Sequence, residues 1–200
     1  MTRKLAIPSL IAAALMLLPI TASAHTGAGD PSGIAHGFLH PVSGLDHILA
    51  MVMVGVLAWQ LGGRALWLLP ASFVASMCLG GAIGVAGIQL PFVEIGIAVS
   101  VVVLGAVVAG AMRAPLAAVM GLVGLFAIFH GHAHGSEMPE NISGLAYAMG
   151  FIAATALLHV AGICAGVALG RAGDRYGAMI VRAAGAASAV AGVGILVSAI

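Results

Sequence analysis

The chain has 200 residues, of which 62% are hydrophobic and only 6% are charged. So few polar groups cannot cover a water-soluble globular protein, and we therefore expect lipid to solvate the outer surface. The formal net charge of +1 provides no basic surface for phosphates, which argues against a nucleic-acid partner. Both cysteines, Cys78 and Cys164, lie in apolar runs, which favours buried thiols over a disulfide.

The first 24 residues have the features of an export signal. Arg3 and Lys4 precede an apolar run, and a small-x-small cleavage pattern follows at residues 22–24. We expect residues 1–24 to be a signal peptide, with an uncleaved anchor as the alternative. In either case the chain beyond it begins on the outer side, and cleavage after Ala24 would make His25 the mature N-terminus.

Six apolar stretches of membrane-spanning length follow the signal segment, separated by glycine, proline and charged residues. Six spans place both mature ends in the periplasm. The sequence thus predicts an all-α integral membrane protein in which residues 25–200 form one six-helix transmembrane bundle. The predicted spans are residues 44–61, 66–87, 92–112, 115–131, 142–170 and 177–199.

The basic residues support this count, because each one in the mature chain falls on the predicted cytoplasmic side. Such a bias is general among membrane proteins, and we expect a multi-pass protein of a bacterial inner membrane. Glycines at helical spacing, Gly80 with Gly84 and Gly162 with Gly166 and Gly170, predict tight helix packing. The basic residues are Arg64, Arg113, Arg171, Arg175 and Arg182.

Seven of the eight histidines lie at or beyond the predicted outer ends of helices, together with several carboxylates. A face with imidazoles and carboxylates but no cations attracts divalent metal ions. Only His159 lies deep in the membrane, where an ionisable side chain faces protein or water rather than lipid. It is either a midway binding site for a transported metal ion or a structural histidine hydrogen-bonded between helices. The outer groups are His25, His36, His40, His47, His130, His132 and His134 with Asp30, Asp46, Glu94, Glu137 and Glu140.

The first histidine segment comprises residues 40–47 at the start of the first span. Pro41 disfavours a helical conformation at His40, so we expect a break there that folds His40 toward the helix mouth. Ser43 and Asp46 have the spacing of a capping box, so one role open to Asp46 is to cap the helix. The other is to ligate metal or orient His47, and capping would not prevent it. The candidate ligands of this region are His36, His40, Asp46 and His47.

The second histidine segment comprises residues 129–137. In a helix His130, His134 and Glu137 share one face, whereas in an extended chain His130, His132 and His134 align. The alternative is an exposed, flexible polar loop, although a short histidine tract is itself typical of metal binding.

Ligand chemistry narrows the metal only to a class. Imidazole with carboxylate suits Zn²⁺, Ni²⁺, Co²⁺ or Cu²⁺, whereas Cu⁺ prefers sulfur. Met51 and Met53 in the first span leave a copper pathway open.

These segments resemble the HupE/UreJ family, small membrane proteins that are associated with hydrogenase and urease gene clusters and regarded as nickel, in some members cobalt, permeases. The resemblance covers nearly the whole chain. It implies that His36, Asp46 and His47 are needed for metal passage and that residues 130–137 form a second such element. The motifs are H-P-x-x-G-x-D-H, present as residues 40–47, and an F-H-G-x-A-H-G-x-E-like segment, present as residues 129–137.

We therefore expect a secondary permease or channel that imports Ni²⁺, or Co²⁺, for hydrogenase or urease maturation, with His159 as a midway stop. The metal is the transported substrate, and no permanently bound cofactor is expected. A Walker motif is absent from the sequence, and we expect no enzyme activity. One alternative is an intramembrane metal-dependent hydrolase, although the sequence lacks the H-E-x-x-H motif. The other is a non-transporting metal-binding accessory or haem protein. The sequence does not indicate the oligomeric state.

Overall fold

The structure, a computed structural model, describes residues 31–139, 142–170 and 174–200, and all regular elements in these ranges are α-helices. The predicted signal peptide lies outside the described residues, as do His25, Asp30, Glu140 and Arg171. The helices are α1 (Pro31–Ser43), α2 (Leu45–Leu61), α3 (Ala65–Val85), α4 (Val93–Gly110), α5 (Leu116–Ser136), α6 (Gly144–Gly170) and α7 (Asp174–Ser198).

Five of these helices, α3 to α7, are long and apolar enough to cross a membrane. The pair α1 and α2 passes the same test together, but the two helices are bent by 82° at the single residue between them, Gly44. The described residues therefore provide five candidate spans, or six if the bent pair crosses as one. The prediction of an all-helical chain with several spans is confirmed, and the six predicted stretches coincide with α2 to α7 within a few residues.

Glycines bring the helices of the bundle into backbone contact. α3 and α5 pack most extensively, and a Cβ atom on any of four glycines in their interface would overlap backbone atoms of the other helix. Such close approach stabilises helix pairs in lipid, where apolar burial alone does not drive association. The predicted packing role of Gly162, against Val52 of α2, is also confirmed, while Gly166 and Gly170 face the indole of Trp59. The four interface glycines are Gly80, Gly84, Gly131 and Gly135.

The two ends of the bundle differ in chemistry. One end, which we call the histidine end, joins the starts of α2 and α6 to the ends of α3 and α5. The arginines whose side chains are described, Arg64, Arg113 and Arg182, lie at the opposite end, where Arg182 Nε donates a hydrogen bond to the Ala109 carbonyl at 2.8 Å. This separation agrees with the charge pattern of the sequence.

Both cysteines are free and exposed, so the expectation of buried thiols is wrong. Long apolar runs did not distinguish core-facing from outward-facing positions, because nearly every position in these helices is apolar. Cys78 and Cys164 therefore have to be replaced before any introduced cysteine is labelled.

The separation of charge predicts which end faces the cytoplasm. In a chain with both native cysteines changed to alanine, Ser143→Cys should react with a membrane-impermeant thiol reagent in cells whose outer membrane is permeabilised. Arg113→Cys should be shielded, because basic residues stay cytoplasmic. Both positions are exposed, whereas His134, at the same end as Ser143, is buried and unsuited to labelling. Reaction at 113 without reaction at 143 would reverse the predicted orientation.

Candidate metal site

The bend between α1 and α2 positions the first group of polar side chains. α1 continues through His40 and Pro41 to Ser43, so the predicted break at His40 is wrong and the chain turns at Gly44 instead. The capping box is also wrong: Gly44 is the N-cap residue without a side-chain cap, and Ser43 Oγ donates to the His40 carbonyl at 2.7 Å. A Cβ atom on Gly44 would lie 2.7 Å from Asp46 Oδ1, so glycine leaves room for that carboxylate.

Asp46 fixes the orientation of His47. Its Oδ1 accepts hydrogen bonds from the backbone N–H and from the imidazole Nδ1 of His47, each at 2.8 Å. Because a carboxylate only accepts, Nδ1 carries the proton and Nε2 keeps its lone pair. This Nε2 is buried and has no hydrogen-bond partner among the described residues. Metal-binding histidines are commonly held by a carboxylate in this way.

His130 is held by a partner that the sequence analysis missed, Ser100 on α4. Ser100 Oγ donates its only hydrogen to the Ile97 carbonyl at 2.6 Å, so it accepts one from His130 Nε2 at 2.9 Å. The proton on Nε2 leaves the lone pair on Nδ1, which is buried without a partner in the described part of the chain. The one signal for Ser100 was a polar residue inside an apolar run.

Four imidazoles meet at the histidine end, and we call His40, His47, His130 and His134 the histidine cluster. The His47 ring centroid is 4.7 Å from those of both His130 and His134, and His134 is 4.6 Å from His40. His40 Nε2 lies 3.1 Å from Glu137 Oε2, and these two side chains are partly exposed. Both ring nitrogens of the buried His134 lack hydrogen-bond partners among the described residues.

The histidine cluster is not arranged around a metal ion in this conformation. Among residues 31–139, 142–170 and 174–200, no three His, Cys, Asp or Glu side chains converge closely enough to hold one. The ring of His47 instead contacts the rings of His130 and His134 edge to face. Ligation by several of them would therefore require side-chain rotation.

The segment at the end of α5 is helical, so the extended and loop alternatives are wrong. His130 and His134 share a face, as the helical alternative predicts, while Glu137 is the first residue beyond the helix and approaches His40. His132 points away from the cluster, since two residues of helix turn a side chain by about 200°. Its Nε2 donates to the Ile88 carbonyl at 2.8 Å and so ties α5 to the segment after α3.

His36 and His159 lie apart from the cluster. His36 is exposed on α1, one turn before His40, and no contact between it and the cluster is found among the described residues. His159 is 1% exposed, and neither of its ring nitrogens has a partner in the part of the chain described. The interhelical hydrogen bond predicted for a structural histidine is thus not observed there. Thr155 Oγ1, one turn earlier on α6, donates to Met77 Sδ at 3.6 Å.

The fold and the site together define a multi-pass α-helical membrane protein with a largely buried histidine cluster at one end. The sequence matches the family described as HupE / UreJ protein over residues 13–195. It is 46% identical over 185 residues to "Protein HupE" of Rhizobium leguminosarum bv. viciae, and this alignment covers 92% of this chain and 94% of that relative. No solved structure gives a significant match. The chain belongs to the HupE/UreJ family, which is associated with nickel and cobalt transport for hydrogenase and urease.

The hydrogen bond between Ser100 and His130 should contribute measurably to stability. Ser100→Ala leaves a buried N–H donor without an acceptor, which costs about 1–3 kcal/mol. We expect the free energy of unfolding in detergent to fall by about that amount. Ser188→Ala is the matched control, because Ser188 is buried on α7 and its Oγ has no partner among the described residues. Equal losses in both variants would contradict the assignment of the hydrogen bond.

Proposed function

We propose that the protein is a secondary permease or channel that carries Ni²⁺, or Co²⁺, from the periplasm to the cytoplasm for hydrogenase or urease maturation. The observation that carries this proposal is the histidine cluster. His47 and His130 each keep a proton on the hydrogen-bonded nitrogen and an unpartnered lone pair on the other. Neutral imidazole nitrogens are good ligands for Ni²⁺ and Co²⁺.

The unpartnered nitrogens are unusual enough to require an explanation. Most buried polar side-chain atoms in folded proteins have a hydrogen-bond partner, and each one without a partner costs about 1–3 kcal/mol. His134 leaves two such nitrogens, and His47 and His130 leave one each, all in neighbouring rings. A transported cation that binds these lone pairs would compensate for that cost while it occupies the cluster.

Exposure orders the ligands along a path into the bundle. Glu137 and His40 are partly exposed at the mouth, while His134, His47 and His130 are buried behind them. The carboxylates of Glu137 and Asp46 attract cations, and the three described arginine side chains lie at the opposite end. We place the histidine end and both mature ends in the periplasm, and the arginine end in the cytoplasm.

His159 is the proposed stop between the two faces of the membrane, since it is buried, unpartnered and deeper in the bundle than the cluster. His36 and His132 have weaker claims as ligands, because the structure does not bring them to the cluster. His36 is placed for metal attraction at the surface. His132 supports the segment after α3 through Ile88. The protein holds no permanent cofactor in this scheme.

The charge of Asp46 should be required for transport. Asp46→Asn preserves the size of the side chain and one acceptor oxygen but removes the negative charge that supports His47. We expect Ni²⁺ uptake into sealed vesicles containing only this protein to fall roughly 10–100-fold, the usual cost of losing such a supporting group. Uptake would be measured with radioactive Ni²⁺ and normalised to folded protein, with Co²⁺, Zn²⁺ and Cu²⁺ as competitors.

Two histidines on one helix provide the matched comparison for this experiment. His130→Ala should abolish most of the flux, whereas His132→Ala should retain it, because only His130 belongs to the cluster. Equal flux in wild type, Asp46→Asn and His130→Ala would contradict the proposed site. Binding of Ni²⁺ without flux by the wild-type protein would favour the alternative of a non-transporting accessory protein.

A further inference from the structure

A single aromatic ring contacts both the histidine cluster and His159. Phe73 on α3 is fully buried. Its ring centroid lies 5.7 Å from that of His130 and 5.0 Å from that of His159, the latter in an edge-to-face contact. The cluster and the deep histidine are therefore linked through this phenyl group.

Position along the helices shows how far each of these residues lies from the histidine end. A helix rises about 1.5 Å per residue, so His130 lies about 9 Å from the end of α5 at the histidine end. On the same scale Phe73 lies about 18 Å from the end of α3, and His159 lies about 22 Å from the start of α6. Phe73 and His159 thus both lie deeper in the bundle than His130.

We propose that the Phe73 ring is the gate that a metal ion passes between the histidine cluster and His159. The inference rests on the proposed transport function and identifies the residue that controls passage. A divalent ion leaving His130 needs a replacement ligand, and a phenyl ring offers no lone pair. The ring also contacts both imidazoles, so an ion that moves from one to the other would displace it.

The unpartnered nitrogens of His159 distinguish this arrangement from ordinary core packing. A buried ionisable group at membrane depth usually has a polar partner or water. His159 has neither a hydrogen bond nor an ion pair among the described residues, and the ring of Phe73, which also contacts His130, lies against it. The side chain beyond the gate is therefore a ligand that is screened until the gate opens.

Phe126 offers a matched control for the size of the side chain. It is also buried, at 7% exposure, and lies on α5 one turn before His130. Its ring makes no contact with a histidine ring among those the structure describes. Replacement of Phe126 therefore tests the loss of a buried aromatic group without the loss of the proposed gate.

The first measurement is access to position 159, which does not depend on Ni²⁺ transport. His159→Cys, in a chain with both native cysteines changed to alanine, is exposed from the histidine end to a small cationic methanethiosulfonate. Modification is followed by mass spectrometry. Adding Phe73→Ala should accelerate the reaction roughly tenfold, equivalent to a barrier lower by about 1.4 kcal/mol. Phe126→Ala should leave the rate within about twofold.

The second measurement is Ni²⁺ flux with side chains of graded size at the gate, in the native His159 background. Phe73→Leu, which keeps most of the apolar volume and protects folding, should raise flux several-fold. Phe73→Trp should lower flux roughly tenfold. Both variants should bind Ni²⁺ like the wild type in equilibrium dialysis, because the ligands of the cluster are unchanged.

The two measurements separate the gate from the transport function. If position 159 becomes accessible in the Phe73 variant but the wild type carries no Ni²⁺, the gate stands and the proposed function fails. If the wild type carries Ni²⁺ but Phe73→Leu and Phe73→Trp transport at the wild-type rate, the gate is overturned. Should Phe73→Ala not fold, Phe73→Leu replaces it in the access measurement.

Discussion

The close contact of α3 with α5 determines where the histidine side chains point. Glycines on both helices allow the backbones to touch, and a larger side chain at any of these positions would force the two helices apart. α5 carries His130 and His134, and α3 carries Phe73, so this single interface sets the spacing between the cluster and the ring behind it. α2 carries His47, which contacts His130, and α6 carries His159, which contacts Phe73.

Hydrogen bonds within this frame decide which imidazole nitrogens are free. Asp46 occupies one nitrogen of His47, and Ser100 occupies one nitrogen of His130. Each support fixes a tautomer and leaves the opposite nitrogen with a lone pair toward the bundle interior. Such neutral imidazoles can bind a divalent cation without first releasing a proton, once their side chains have rotated toward it. Without these hydrogen bonds the imidazoles of His47 and His130 would exchange between tautomers, and neither would keep its lone pair on one particular nitrogen.

Helical periodicity explains why part of this arrangement was predictable. The long apolar stretches predicted α2 to α7, and the spacing of His130 and His134 predicted a shared helical face. The resemblance to the HupE/UreJ family, carried by the two histidine motifs, is confirmed by the match over residues 13–195. The predicted topology also put the histidines and carboxylates at one end of the bundle and the arginines at the other.

Other features depend on tertiary contacts that a single sequence does not display. Pro41 suggested a break at His40, but the helix tolerates it and the turn occurs at Gly44, where the carboxylate of Asp46 needs the space. The pairing of Ser100 with His130 joins residues thirty positions apart on different helices. Phe73 carried no signal at all, because an aromatic residue in an apolar helix is ordinary until its neighbours are known.

The central claim is that the histidine cluster holds the transported metal through His47, His130 and His134. X-ray absorption at the nickel edge on the purified, Ni²⁺-loaded protein tests this most directly, because imidazole ligands produce a distinctive scattering pattern. The account predicts several imidazole ligands in the wild type and in His132→Ala, and at least one fewer in His130→Ala. A spectrum with water and carboxylate oxygens alone, or one that His130→Ala leaves unchanged, would contradict it.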